Sequence, residues 1–487
     1  MEEYFDKFRR NVVGYNQKFQ TPYGEQTMIY ADWVASGRLY APIERKIAEE
    51  IGPFVGNTHT ETSETGTLMT HAYHQAKDII RKHVNASEND VVITTGFGMT
   101  GAVNKLQRIL GFKGCGKLQG KGCIHDIEAP LVLISHMEQH SNQTSWYETV
   151  ADVEIVPPGN DGLPSVKNLI NILEKNRDRK LLIGSFTACS NVTGIETDYH
   201  ALAKVMHEYG GLCFVDFAAN APYSDIDMHP EKSSEDLDAI FFSPHKFLGG
   251  PGSSGVLIFN KSLYNNPTPD QPGGGTVDWT NAWGEYKYMD DIEAREDGGT
   301  PGFLQAMRTA LVIRLKEEMG TQNIHKREDE LVERVFEGLA DVEGLHILEP
   351  HITKRTGAIS LHFDNIHYNM VVKLLNDRYG IQVRGGCACA GTYGHILYGI
   401  DQEESHRITD KIDAGDLSGK PGFVRLSVHP TMTNAEMEII IKAFHEISKN
   451  YKEWEKDYEY NKSNNEFYHK SYLGKRRYEV DEWFKLS

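Results

Sequence analysis

From residue 90 onward, short apolar runs alternate with amphipathic stretches. The runs at 91–95, 131–135, 153–156, 181–186, 212–217, 239–243 and 256–259 are bounded by polar and glycine-rich turns. Their length and apolar character predict strands buried on both faces. Helical spacing fills several of the gaps, at 99–110, 166–174 and 199–209, and an earlier helix is expected near 72–84. Alternation of this kind predicts an α/β fold built on a mostly parallel seven-stranded sheet covered on both faces. The last two runs are joined by a turn too short for a helical crossover, so one strand is expected to be antiparallel.

The pattern then changes. Residues 261–300 are rich in Pro, Gly and Trp and read as an extended loop. Pro301 and Gly320 bracket an amphipathic helix, proline at its start and glycine at its stop. A smaller α+β unit follows, with strands near 346–348, 358–363, 381–384 and 424–428 and helices near 368–379 and 435–450. Thr433 and Glu436 have the spacing of a capping box. Residues 401–422 read as a polar surface loop, and 56–63 as a polar loop ahead of the first long helix. The expected organisation is an N-terminal segment 1–28 packed on the small domain, a large domain 29–300, a small C-terminal domain 301–451 and a tail 452–487. The tail wraps either its own domain or a partner subunit.

Composition narrows the function classes. The chain has 487 residues, of which 39% are apolar and 25% charged, an ordinary globular balance with room for two domains. Its net charge of −18 leaves no clustered basic footprint for nucleic acid. No apolar run reaches membrane-spanning length. The opening MEEYFDKFRR lacks the apolar segment of a secretory signal, and six cysteines in so long a chain do not form a disulfide framework. The expectation is a reduced, cytoplasmic protein.

The candidate chemistry sits at strand ends. The run 239–242 leads into Ser243-Pro244-His245-Lys246 and a glycine-rich turn. A lysine at the end of a buried strand costs several kcal/mol unless paired or neutralised. A desolvated amine that attacks an aldehyde cofactor is one reason to accept that cost; a side chain reaching out to solvent is the bland alternative. The strand at 91–95 runs into Gly96-Phe97-Gly98-Met99-Thr100, where a helix N-terminus favours an anion such as phosphate. Asp216 ends another strand, as a helix cap or as the partner of a ring N–H. Asn191 and His140 close two more. Cys389 lies in a glycine-rich loop, VRGGCACAG, with Arg384 beside it. It reads as a thiolate nucleophile or as a small buried hydrophobe. A zinc set of Cys387, Cys389, His395 and His406 fits no standard spacing. Arg425 is placed to pair with a substrate carboxylate or to form an ordinary ion pair.

Taken together, SPHK, SNVTG, the Asp216 strand, Gly299-Thr300-Pro301 and VRGGCACA resemble the class V aminotransferase family of pyridoxal 5'-phosphate enzymes, in its cysteine desulfurase and selenocysteine lyase branch. The resemblance runs from about residue 29 to 450. It implies fold type I, with the large and small domains described above. It implies that Lys246 holds the cofactor and that Ser243, His245 and the Gly98-Met99-Thr100 turn hold its phosphate. Asp216 would pair with the pyridine nitrogen, Asn191 would contact the ring hydroxyl, and either His140 or Gln139 would stack on the ring. Thr300 would reach the phosphate of a neighbouring subunit, which implies a homodimer with shared sites. Cys389 falls on the sulfur-accepting nucleophile, Arg425 on the carboxylate-binding arginine, and Arg384 assists. The implied reaction takes sulfur or selenium from cysteine or selenocysteine, leaving alanine and a Cys389 persulfide, with a possible sulfur-acceptor protein and no resident metal. Transamination, another β-elimination or epimerisation on the same scaffold is the alternative. Three positions depart from the pattern. Gln139 stands at the usual ring-stacking histidine with His140 one step later, Ala219 and Asn220 replace a glutamine, and Asp32-Trp33-Val34-Ala35-Ser36 replaces an Asp-x-Ala-Ala segment.

Overall fold

The computed structural model describes residues 1–113, 129–472 and 477–486. The chain divides into two compact units. One combines Arg10–Val13 with Val34–Lys326, and the other combines Met1–Arg9, Gly14–Trp33 and Arg327–Ser487.

The first unit is built on a seven-stranded sheet. Its spatial order is Asp90–Thr95, Gly255–Asn260, Ala239–Phe242, Leu212–Asp216, Leu182–Thr187, Leu131–Ser135, Asp152–Val156. Most of the apolar runs form strands in which almost every position is buried, as continuous rather than alternating hydrophobic runs require, but the run expected to be buried at 153–156 is the edge strand, with Asp152 and Glu154 exposed. Neighbours pair in parallel from Ala239–Phe242 through to Asp152–Val156. Gly255–Asn260 runs antiparallel to both of its neighbours, as its short connection requires. Two reversals restore the direction, so Thr95 ends at the same edge as Ser135, Thr187, Asp216 and Phe242. One face of the sheet is closed by Trp146, Phe214, Met99, Val103 and Leu106.

Three local differences from the sequence pattern have physical causes. The helix expected at 72–84 begins at Glu64, where the Ser63 hydroxyl accepts from Gly66 N at 3.3 Å. The segment 261–300 carries a hairpin, Val277–Thr280 with Tyr286–Tyr288, and a short helix Ile292–Arg295. It is tied down by ion pairs, Lys77 Nζ to Asp297 at 2.9 Å, Lys105 Nζ to Glu296 at 2.6 Å and Arg108 Nε to Asp270 at 2.6 Å, and by Leu263, Tyr264 and Ile292 packing against the core. The helix bracketed by Pro301 and Gly320 runs over Phe303–Met319. Its Ala306, Met307 and Ala310 pack with Met69, Tyr73 and Ala76, and the helix lies in the unit that runs through Lys326.

The second unit holds a four-stranded antiparallel sheet in the order Leu345–Ile347, Ala358–Phe363, Phe423–Ser427, Arg384–Gly386. Ile381–Gln382 pairs in parallel with Ile29–Tyr30, and Asp32 bridges to Ser427. Tyr368–Tyr379 and Asn434–Trp454 are helical, the latter with the Thr433–Glu436 capping box formed. The supposed surface loop 401–422 contains a helix, Gln402–Asp413. It has no buried face to announce it; the Asp401 cap and an Arg407–Glu404 pair at 2.6 Å support it instead. A further helix, Thr321–Leu339, follows Gly320 without a loop. The tail forms a hairpin, Tyr458–Asn461 with Glu466–His469, and Tyr458 donates to Asp377 Oδ2 at 3.0 Å, so this part of the tail packs on its own unit. Among the described residues, no helix is long and apolar enough to cross a membrane.

Candidate functional site

The chemistry-bearing residues form two sets, one in each unit. The first set lies at the carboxyl edge of the large sheet, where open parallel sheets bind ligands. Asp216 closes its strand flanked in register by Thr187 and Phe241. It is buried, its Oδ1 accepts from Ala218 N at 2.8 Å, and burial pushes its carboxyl up to about 6 against the opposing charge of Lys246. Lys246 and Asp216 therefore lie within electrostatic reach of one another. Lys246 ends the helical turn Pro244–Lys246, and burial with the Lys246 charge lowers His245 to about 4.

That turn is clamped by Ser36-Gly37-Arg38, of which only Ser36 belongs to the departing Asp32–Ser36 segment. Gly37 N donates to His245 O at 2.9 Å, Ser36 Oγ to the same oxygen at 3.3 Å, and Gly249 N to Arg38 O at 2.7 Å. A side chain at Gly37 would meet Phe247 O at 1.9 Å, so only glycine admits this approach. Gly37 follows directly on the departing Asp32-Trp33-Val34-Ala35-Ser36 stretch.

Beside Lys246 is a cradle suited to an anion. Phe97 takes the left-handed conformation at φ +67° and launches the helix Gly98–Ile109 without a side-chain cap of its own, and a helix start of this kind favours an anion, although the Met99 amide is already taken by Ser243. Met99 N donates to Ser243 Oγ at 2.8 Å, and Thr100 Oγ1 lies 2.7 Å from Ser141 Oγ. A Cβ at Gly98 would stand 2.8 Å from Ser243 Oγ; glycine keeps that space open. An open amide cradle, a buried carboxylate and an amine together fit the phosphate, the ring N–H and the aldehyde of pyridoxal 5'-phosphate.

Glu138 organises the neighbouring loop. Its Oε1 accepts from Ser135 Oγ at 2.6 Å and Thr187 N at 2.8 Å, and its Oε2 accepts from Asn142 at 2.7 Å. Burial nonetheless pushes its carboxyl up to about 8. Gln139 is the cap of the helix His140–Tyr147, its Oε1 accepting from Ser141 N at 2.6 Å. Its amide is committed to the helix, and His140 takes the first helical position. Asn191 is buried in a turn held by Ser190 Oγ, which accepts from Val192 N at 3.1 Å. Thr300 is exposed and joins none of these hydrogen bonds.

The second set lies on the smaller sheet. Arg425 is 3% exposed; its Nη2 lies 2.8 Å from Asp32 Oδ1. Arg384, half exposed, lies 3.2 Å from Asp32 Oδ2. Burial lowers the Arg425 pKa, with Asp32, Arg384 and Cys389 all within electrostatic reach. Cys389 is an exposed free thiol. It and Ala388 adopt φ of +58° and +48°, two consecutive non-glycine residues in the left-handed region. Among the described residues, the zinc alternative does not assemble: His395 binds Gly391 O at 2.8 Å and Ser405 Oγ at 3.0 Å, away from any ligand cluster. Trp33 stacks on His429 at 4.0 Å, a buried pair adjoining Asp32 that the sequence pattern did not reveal.

Comparison with known proteins gives a consistent picture. The family model for class-V aminotransferases matches residues 29–440. A probable cysteine desulfurase of Halalkalibacterium halodurans is 28% identical over 367 residues, covering 74% of this chain and 84% of that protein. One from Staphylococcus epidermidis is 28% identical over 372 residues, covering 74% and 83%. Among solved structures, the apo cysteine desulfurase of Thermococcus onnurineus aligns with a TM-score of 0.72 at 22% identity, over 91% of this chain and 98% of that one. The Escherichia coli cysteine desulfurase aligns with a TM-score of 0.66 at 20% identity, over 85% and 93%. At these identities the structural likeness speaks for the fold.

Proposed function

The chain belongs to the class-V aminotransferase family and has the fold-type-I architecture of its pyridoxal-phosphate enzymes, and from that premise we propose that it is a cysteine desulfurase. The observation that carries the proposal is the Cys389 thiol, exposed on a left-handed loop within electrostatic reach of the buried Arg425.

The first set would hold the cofactor. Lys246 would attach it, the Gly98-Met99-Thr100 turn with Ser243 and His245 would bind its phosphate, and Asp216 would receive its ring N–H. Asn191 would contact the ring hydroxyl and His140 would lie against the ring. When bound, pyridoxal 5'-phosphate supplies an electron sink for the bonds broken at the substrate's α-carbon.

The chain's own groups do the rest. Arg425 grips the substrate carboxylate through its planar fork, with Arg384 assisting. Lys246 Nζ takes the α-proton as general base. The Cys389 thiolate attacks the substrate sulfur. A sulfur–sulfur bond forms as the carbon–sulfur bond breaks, and the electron pair leaves with carbon. Protonation of that carbon, with return of the α-proton from Lys246 Nζ, gives alanine, and Cys389 is left as a persulfide. Selenocysteine is a second substrate on the same chemistry. Thr300, exposed on a turn held by buried ions, serves the site of a second subunit in a homodimer, and the enzyme works in the cytoplasm, handing its sulfur to an acceptor protein.

The test is Cys389→Ala. It is expected to abolish sulfide release from cysteine while keeping the yellow cofactor absorbance. Full turnover by this variant would discard the nucleophile and point to another class-V reaction. Borohydride reduction with peptide mapping is expected to place the pyridoxyl group on Lys246.

A further inference from the structure

Outside both sets, the edge of the four-stranded sheet carries a cluster that the desulfurase chemistry leaves unused. His346 lies on the edge strand Leu345–Ile347, directly opposite His362 on Ala358–Phe363. Directly opposed residues share a face, and their rings stack at 5.1 Å with 28° between planes. Asp364 is the next same-face position after His362, and its Oδ1 lies 2.8 Å from His346 Nε2. One ligand atom from each residue lies within 4.8 Å of the others.

The cluster is held in place. Tyr398 packs edge-on against the His362 ring at 5.3 Å, and its hydroxyl donates to Gly422 O at 2.9 Å. Asp364 N donates to Gly344 O at 2.9 Å, which fixes the backbone behind the carboxylate. His362 Nδ1 is buried without a hydrogen-bond partner, an unmet polar atom of a kind native interiors rarely leave. His346 and Asp364 are exposed, so an ion from solvent has a direct path.

We propose that His346, His362 and Asp364 form a binding site for a divalent transition ion, Zn²⁺ or a neighbour such as Co²⁺ or Ni²⁺. Two imidazoles and one carboxylate suit these borderline ions, whereas Mg²⁺ and Ca²⁺ call for all-oxygen sets. With bonds of about 2.1 Å, donors around a tetrahedral zinc sit about 3.4 Å apart. Small side-chain rotations bring the three atoms to that spacing. The ion replaces the proton shared by His346 and Asp364, and water fills the fourth position. The site bridges the edge strand to its neighbour, and its effect is local to this sheet.

Zn²⁺ titrated into metal-stripped, full-length protein against a chromophoric chelator tests the site. Wild type is expected to bind one equivalent more than the double variant His346→Ala, His362→Ala. This difference cancels any zinc taken up by the Cys387 and Cys389 thiols, which both proteins retain. Asp364→Asn is expected to weaken that equivalent about tenfold, and Co²⁺ in the site is expected to show a tetrahedral d–d band that the double variant lacks. Equal stoichiometry and equal affinity in wild type and double variant would overturn the proposal and leave a plain histidine–aspartate surface pair. Should circular dichroism show the double variant unfolded, Asp364→Asn and His346→Gln decide alone, and unchanged zinc affinity in both overturns the site.

Discussion

Asp32 Oδ1 lies 2.8 Å from Arg425 Nη2, and the other oxygen of the same carboxylate lies 3.2 Å from Arg384 Nε. One anion thus serves two cations of very different burial. Arg425 is 3% exposed, and its side chain gives up water that only a charge partner can offset. Arg384 is half exposed, and solvent already screens it.

Loss of the shared carboxylate and loss of the exposed arginine should therefore have different costs. Asp32→Ala is expected to cost about 3 kcal/mol of stability, because it strips a buried guanidinium of its carboxylate. Arg384→Ala is expected to cost less than about 1 kcal/mol. Urea unfolding of the two variants checks this. Equal losses would mean that the Asp32–Arg384 contact matters as much as the buried one.

Asp216 sets function against stability. Its carboxyl rises to about 6 in the folded chain through burial, against about 3.9 for a free aspartate. The folded state therefore holds the proton more tightly than the unfolded state. The stabilisation is complete below about pH 4 and is lost as pH climbs through 6, a swing of about 3 kcal/mol. Asp216→Asn keeps the acceptor for Ala218 N and removes the charge. The apoprotein of this variant is expected to gain up to about 3 kcal/mol over wild type at pH 8 and almost nothing at pH 4, while its affinity for pyridoxal 5'-phosphate falls. A gain that is the same at both pH values would trace the effect to something other than the buried charge.

The turn that carries Thr300 is held by ion pairs. Lys77 Nζ lies 2.9 Å from Asp297, and Tyr73 donates to the same oxygen at 2.8 Å. Lys77→Met leaves Asp297 buried without its cation and is expected to cost about 3–5 kcal/mol, with the double variant Lys77→Met, Asp297→Leu recovering most of it. Thermal unfolding of the two proteins settles it: an additive double variant would show that the pair does not act as a unit.

What was legible in the chain follows from what writes a local pattern. The central strands of the large sheet are buried on both faces, so they read as unbroken apolar runs, and Asp216, Ser243 and Lys246 lie at or just past their ends. The capping box at Thr433 was legible because its two partners are close in sequence. Elements held by polar contacts at long range were not. Helix Gln402–Asp413 buries no side chain, so its sequence looks like a loop. The Ser36–Arg38 clamp joins residues more than two hundred positions apart. Nothing local marks Gln139 as a cap rather than a stacking group, since a glutamine cap is uncommon and the family pattern drew attention to the missing histidine instead.

The Cys389 loop offers a test in which strain and activity separate. Ala388 and Cys389 sit at φ +48° and +58°, where an L-residue pays about 1–2 kcal/mol. Backbone strain of this kind persists where the surroundings over-determine it, often at a reactive side chain. Ala388→Gly relieves one of the two strained residues but loosens the unfolded chain by about 0.5–1 kcal/mol. The net effect on stability is expected to lie between zero and a gain of about 1 kcal/mol. Ala388→Val, β-branched at a left-handed position, is expected to lose at least about 1 kcal/mol. Activity should move the other way for glycine: the loop gains freedom, the thiol is presented less uniformly, and kcat for sulfide release falls severalfold while KM for cysteine stays near wild type, because Arg425 is untouched. Steady-state kinetics on the glycine variant is the measurement. An unchanged kcat would mean that the left-handed pair does not position the thiol, and that Cys389 reaches its partner from a loop free to move.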